Sequence, residues 1–172
     1  MKTLSTIVMA ILISLVAANE SKAQSGFGGP ALKISSFNGG TGLMFGGFGA
    51  GGAGNYYIGG GGFGLTNPSN VSSQISDFGY GGLLLGYKNE LVNTFGIYGQ
   101  SFIAWGGGEI SDGSDFSVFL LEPELGFSFS PSSVFTLRAG ASRRFVVPTT
   151  GSISASELKG NTFTLSFIFG LY

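Results

Sequence analysis

The chain contains no cysteine and no histidine, and only 10% of its 172 residues are charged. Without cysteine there are no disulfides to staple the fold in an oxidising compartment, and no lipid-modified N-terminal cysteine. Without histidine the commonest general base, the usual zinc ligand and the pH switch are all missing, which weakens most enzymatic readings. A basic face for nucleic acid is absent too, the net charge being −1. Beyond the first 23 residues no window of ten or more keeps a helical period without a glycine interrupting it, and each interior glycine would cost a helix about 1 kcal/mol.

What is present begins with a leader. MKTLSTIVMAILISLVAANESKA has a basic Lys2, an apolar run from Ile7 to Ala18, and small residues Ser21 and Ala23 where a signal peptidase reads. It is too short and wrongly flanked for a transmembrane helix, so residues 1–23 are expected to be a cleaved signal peptide. Removing 23 of 172 residues leaves 149, enough for one domain over 24–172, with Gln24 leading. All 32 glycines and all 17 phenylalanines fall in that mature part. Abundant aromatic and β-branched residues, with helix disfavoured, point to an all-β domain.

Eight apolar segments alternate with turn-forming clusters, near 27–37, 41–51, 55–66, 77–88, 94–106, 116–129, 133–146 and 161–172. Each is about as long as the ~9–11 residues that a tilted strand needs to cross a bilayer. Links on one side, GAGN, KNELVN and SPSS, are short, whereas NPSNVSSQISD, GGGEISDGSD and VPTTGSISASELKGN on the other are long and FNGG is short. Short inner turns and longer outer loops on an even number of strands are the pattern of an outer-membrane barrel. Aromatic residues gather at the segment ends: Tyr56, Tyr57, Tyr87, Phe95, Phe129 and Tyr172 on the inner side, Phe78, Trp105, Phe116 and Phe145 on the outer. Two interfacial girdles are expected from them. NTFTLSFIFGLY alternates cleanly, with Phe163, Leu165, Phe167, Phe169 and Leu171 on one face and Thr162, Thr164 and Ser166 on the other. The mature chain's 14 charges are too few to solvate the outside of a soluble barrel, so the apolar face is assigned to lipid.

By the same parity Glu122 and Glu124, inside the apolar stretch FLLEPELGFSFS, point into the lumen with Gly126 and Ser128. Thr136, Arg138, Gly140, Ser142 and Arg144 make the polar face of the next segment. A hairpin turning about Pro131 would set Glu124 opposite Arg138 with Glu122 on the diagonal. Lys33 could join across the lumen. Such an ion network suits a barrel whose interior is just wide enough for side chains to fill, and it either plugs the lumen or lines a narrow polar path. Pro123 cannot donate to a ladder, so a bulge or broken pairing is expected there. Arg143 has outward parity near the outer end and is assigned to lipopolysaccharide phosphates or the headgroup zone, where an arginine costs about 0–1 kcal/mol.

Other motifs carry less. Gly49 to Gly54 matches GxGxxG, but a strand-like NYYIGGGGFGLT follows where a dinucleotide fold needs a helix. Glu109, Asp112 and Asp115 lack EF-hand spacing and read as a solvated acidic loop, so no metal site is expected. Asn70-Val71-Ser72 is a formal glycosylation sequon, which is uninformative if the host is bacterial.

The leader followed by glutamine, the Gly-rich first strands, FGYGGLLLGY, LLEPELGFSFS, RAGASRRF and FIFGLY together resemble a group of small Gram-negative outer-membrane barrel proteins with the eight-stranded OmpA/OmpX-like architecture. The similarity spans essentially the whole mature chain. Tyr172 departs from it, being out of phase with Phe169 and Phe167. The resemblance implies an eight-stranded antiparallel up-and-down transmembrane β-barrel in the outer membrane. It also implies lipid and lipopolysaccharide around the barrel, the barrel-assembly machinery as partner in biogenesis, and loops free to meet an extracellular ligand. Barrel enzymes of that membrane, the proteases and lipid A acylases, use a catalytic histidine that this chain lacks, and no cofactor is expected. Three readings stay open: a non-enzymatic structural or surface-interaction barrel, a small channel or conduit for small or hydrophobic solutes, and a secreted glycine-rich structural or amyloid-forming protein.

Overall fold

In the computed structural model, residues 25–38, 40–66, 75–151 and 153–171 are described. The leader, Gln24, the sequon at Asn70 and Tyr172 lie outside them. Eight strands follow in order: β1 (Ser25–Phe37), β2 (Gly40–Ala53), β3 (Tyr56–Leu65), β4 (Ile75–Val92), β5 (Phe95–Ile110), β6 (Asp115–Ser132), β7 (Phe135–Thr150) and β8 (Gly160–Gly170). A one-turn helix, α1 (Ala155–Leu158), interrupts the β7–β8 link. Each strand pairs antiparallel with the next, and β8 closes on β1. A closed wall has no free edge, so the edge-stacking that an amyloid reading needs has no template.

Following paired residues once around the wall shows how the strands are staggered. From Ser35 the row passes through Thr162, Ser142, Glu124, Gln100, Gly86, Tyr57 and Gly52 and returns to β1 at Ser25. The stagger is therefore ten residues, 35 less 25, and such an offset goes with strands tilted against the barrel axis.

All three inner links shrink to two residues, 54–55, 93–94 and 133–134. Gly54, at φ +62°, supplies the left-handed first position of such a turn, where glycine has no steric penalty. The outer links 66–74 and 151–159 are long, but that between β5 and β6 is only 111–114. Gly106 to Ile110 and Asp115, expected in a loop, are ladder residues, because glycine-rich segments extend as readily as turn when a neighbouring strand offers partners.

Two prolines inside the wall act alike. The β6–β7 ladder pairs Leu121 with Phe145 and Glu124 with Ser142, skipping Glu122 and Pro123 yet keeping register. The β1–β8 ladder skips Gly29 and Pro30 in the same way. One missing N–H removes two successive pairings without adding a residue. At Pro123 the outcome is thus broken pairing and not a bulge.

The outward faces carry large apolar side chains, among them Ile34, Phe45, Trp105, Phe127 and Phe163, all exposed. They form a belt far beyond what a soluble monomer tolerates. At its inner margin Tyr56 lies 5.0 Å from Tyr87, Phe95 4.9 Å from Phe129, and Phe135 5.4 Å from Phe169. At the outer margin Trp105 lies 6.2 Å from Phe119, with Phe145 also exposed. Three expected girdle members are corrected: Tyr57, Phe78 and Phe116 are buried in the lumen. A Tyr-Tyr pair in a strand must put one ring on each face, and Tyr56, 70% exposed, takes the outer one.

Candidate functional site: the filled lumen

Parity decides which side chains enter the barrel, and the polar ones sort into two hydrogen-bonded groups. The outer group is centred on Glu122. Its carboxylate accepts from Lys33 Nζ at 2.5 Å, Tyr80 OH at 2.7 Å, Ser142 Oγ at 2.9 Å and Arg144 Nε at 3.3 Å. Lys33 Nζ also donates to Tyr80 OH and lies 4.1 Å from the centre of the Phe63 ring. Arg144 Nη2 donates to Ser35 Oγ at 2.8 Å and Thr162 Oγ1 at 3.3 Å. Five strands, β1, β4, β6, β7 and β8, are thereby tied across the interior, and every charge involved is fully buried.

The inner group is centred on Glu124, which accepts only neutral donors among the contacts seen: Tyr98 OH and Gln100 Nε2 at 2.8 Å and Thr164 Oγ1 at 2.7 Å. Gln100 turns its other end to Arg138, whose Nη1 donates to Gln100 Oε1 at 3.2 Å and to Tyr57 OH at 3.3 Å. The guanidinium is completely buried among the rings of Tyr98, Tyr57 and Phe27, at 4.3, 5.1 and 5.3 Å. Cation–π contacts are worth about 0.5–1 kcal/mol when exposed and about 2 kcal/mol or more when desolvated.

The expected Glu122–Arg138–Glu124 triad is therefore corrected. The hairpin turns at 133–134, Arg138 faces Ser128, and Glu124 faces Ser142, a register four residues from that set by a turn at Pro131. An even shift keeps every side chain on its expected face, so Glu122, Glu124, Arg138, Arg144 and Lys33 all reach the lumen while their partners change. Arg144 and Lys33 hold Glu122, and the Gln100 amide stands between Glu124 and Arg138. Tyr57, Tyr80, Tyr98 and Gln100 were missed as members. Their inward parity was readable, but a tyrosine near a strand end reads equally well as girdle.

Above these groups the lumen changes character. Phe37, Phe78, Phe116, Val118, Leu120 and Val146 are buried in one apolar cluster that also holds Ile153 and Leu158 from the β7–β8 link. Phe78 stacks on Phe116 at 6.1 Å. On the outside Arg143 is exposed beside Phe145, 5.8 Å from its ring, and faces Asn161 on β8. Asp77, Glu109 and Asp115 neighbour one another across β4, β5 and β6, but no group of acidic residues among those described is gathered as a metal centre.

A closed antiparallel barrel of eight strands, with an apolar exterior, an inner and an outer aromatic margin and a side-chain-filled interior, is the architecture of small outer-membrane proteins. Solved structures of that kind superpose on nearly the whole wall. Neisserial surface protein A is similar with a TM-score of 0.64 at 11% identity, over 87% of this chain and 97% of that one. Ail, the attachment invasion locus protein of Yersinia pestis, in complex with the heparin analogue sucrose octasulfate, gives 0.55 at 18% over 85% and 97%. The outer membrane protein OprG from Pseudomonas aeruginosa gives 0.51 at 12% over 88% and 97%. No family model matches the sequence, and no curated protein matches it. At these identities the likeness is one of fold.

Proposed function

We propose that the protein is a non-enzymatic integral barrel of the outer membrane, exported by a cleaved leader, whose role is structural or one of surface interaction through its outer loops. The carrying observation is the interior: Glu122 with four donors, Glu124 with three, Arg138 among aromatic rings and an apolar cluster at the outer end. A lumen tied across in this way is a seal. Lipopolysaccharide is the proposed outer-leaflet neighbour, with Arg143 just below the Trp105–Phe119 margin positioned to reach a phosphate, and the barrel-assembly machinery the proposed insertion partner. Ail's sulfated ligand offers the analogy for an anionic extracellular partner of the loops.

A small channel is the second reading. It is favoured by the polar row Ser35, Thr162, Ser142, Glu124, Gln100 and Tyr57, which winds from the outer mouth toward the inner. Membrane fractionation, faster gel migration before than after boiling, and protease cleavage confined to 66–74 and 151–159 in whole cells test location and topology. Planar-bilayer recording then divides the two readings. Steady openings that change in Glu124→Gln would overturn the seal.

A further inference from the structure

We propose that the outer third of the lumen is a binding chamber for an unbranched aliphatic chain with a hydrogen-bond acceptor at its leading end, as in a fatty acid, and that the β7–β8 link fills this chamber with its own side chains when no such chain is bound. The inference rests on the barrel reading above.

Three independent observations carry it. Interiors of outer-membrane barrels are polar as a rule, whereas here Phe37, Phe78, Phe116, Val118, Leu120 and Val146 are buried toward the outer mouth, above Ser35, Thr162 and the Arg144 guanidinium. The polar groups below already seal the lumen, so sealing does not explain it. Second, part of the filling does not come from the wall. Ile153 and Leu158 belong to the connecting segment and are buried in the cluster with the wall residues. Leu158 ends the one-turn α1, which is capped by Ser154 and tied to the β1–β2 turn through the Asn38 N–H donated to the Glu157 carbonyl at 3.2 Å. A one-turn helix has little stability of its own, so the segment depends on these two anchors. Third, the floor of the chamber holds an unused donor. The Arg144 guanidinium lies 4.9 Å from the Phe37 ring and 5.5 Å from that of Phe78, fully buried, and its Nη1 has no hydrogen-bond partner among the described residues. A buried donor left unpaired is costly, and an incoming carboxylate oxygen would satisfy it while the chain behind replaced Ile153 and Leu158 against the rings.

The test uses the full barrel in lipid nanodiscs and dodecanoic acid carrying a photoactivatable diazirine, with adducts mapped by mass spectrometry. On β6 and β7 the lumen residues Val118, Leu120 and Val146 alternate with the lipid-facing Phe119, Leu121 and Phe145, so the labelled parity reads the location directly. Labelling of the lumen parity is expected. It should be lost when Asn38→Cys and Glu157→Cys are oxidised to a disulfide that pins the segment, and should return on reduction; the natural chain has no other cysteine. The double variant Ile153→Ala, Leu158→Ala, which removes the competing side chains, should raise lumen labelling. Adducts confined to the outward parity, no adducts, or lumen labelling indifferent to all of these variants would overturn the chamber. Each such outcome would leave the heat-modifiable barrel intact, whereas loss of heat-modifiability would instead strike the barrel reading itself.

Discussion

Two acids two residues apart on one strand do different work because their donors differ in charge. Glu122 pairs with both Lys33 and Arg144 in the buried interior, and breaking a buried pair from one side costs about 3–5 kcal/mol because the other charge is left alone. Glu122→Ala strands two cations, so its urea midpoint, followed by the heat-modifiable band in bilayers, should fall by at least that much stability or the barrel should not assemble. Glu124 holds Tyr98, Gln100 and Thr164 by neutral donors. In Glu124→Gln the amide oxygen can keep Tyr98 and Gln100 while the amide nitrogen donates to Thr164 Oγ1, a hydroxyl that also accepts, so only the charge assistance of these bonds is lost, about 1–2 kcal/mol. If Glu124→Gln proves the more damaging change, the assignment of the ion pairs to Glu122 is wrong. The faces of both acids were legible from parity, since the side-chain period of two survives any even error in register. Their partners were not, because partner choice depends on where the turn falls. SPSS offers Pro131 as an obvious corner, whereas the chain turns two residues later, at 133–134.

At the scale of strands, the inward glycines of β2 and β3 are crowded, whereas outward ones vary: Gly28 and Gly47 are crowded by the Phe48 and Gly29 carbonyls, and others are open. On β2 and β3 an inward Cβ has no room: at Gly59 it would strike the backbone of Gly49 and Ala50, and at Gly61 that of Gly47 and Phe48. The wall curves sharply there, and glycine lets neighbouring backbones close up on the concave side. Outward, a Cβ at Gly49 or Gly64 meets nothing within 4 Å. Gly59→Ala and Gly61→Ala should therefore destabilise or prevent assembly. Gly49→Ala and Gly64→Ala should be neutral or gain about 0.4–1 kcal/mol from the less flexible unfolded chain, read as shifts of the same urea midpoint. Equal effects at both faces would refute a curvature-based account. Strand number, order and the alternation of link lengths were readable from composition and period because eight separate segments repeat one signal. Strand ends were not, since GGGEI extends as well as it turns. The helix α1 did leave a trace in Ser154-Ala155-Ser156-Glu157, a capping-box spacing in which Ser154 caps and Glu157 stands three residues on, but one turn carries no periodicity to draw the eye.

For the whole molecule, the decisive physical claim is that the apolar exterior faces hydrocarbon, and the single tryptophan can report it. Trp105 lies on the outward face of β5, 58% exposed, against Phe119 on β6 and paired on its other side with Gly81 on β4, which has no side chain to shield it. The indole is thus open to whatever surrounds the barrel. An amphipathic ring at a margin settles near the headgroups, with its N–H toward polar groups and its body among the upper methylenes. In vesicles, lipids brominated near the carbonyl end of the acyl chain should quench Trp105 strongly, and lipids brominated near the methyl terminus should quench it less. Gly81→Leu, which sets a bulky neighbour beside the indole, should weaken quenching by both without moving the depth ratio. Strongest quenching from the methyl end would place Trp105 at mid-membrane and shift the outer margin away from the Trp105–Phe119–Phe145 level. No quenching by either lipid, with the barrel shown to be folded, would mean that this apolar surface is covered by protein instead of lipid.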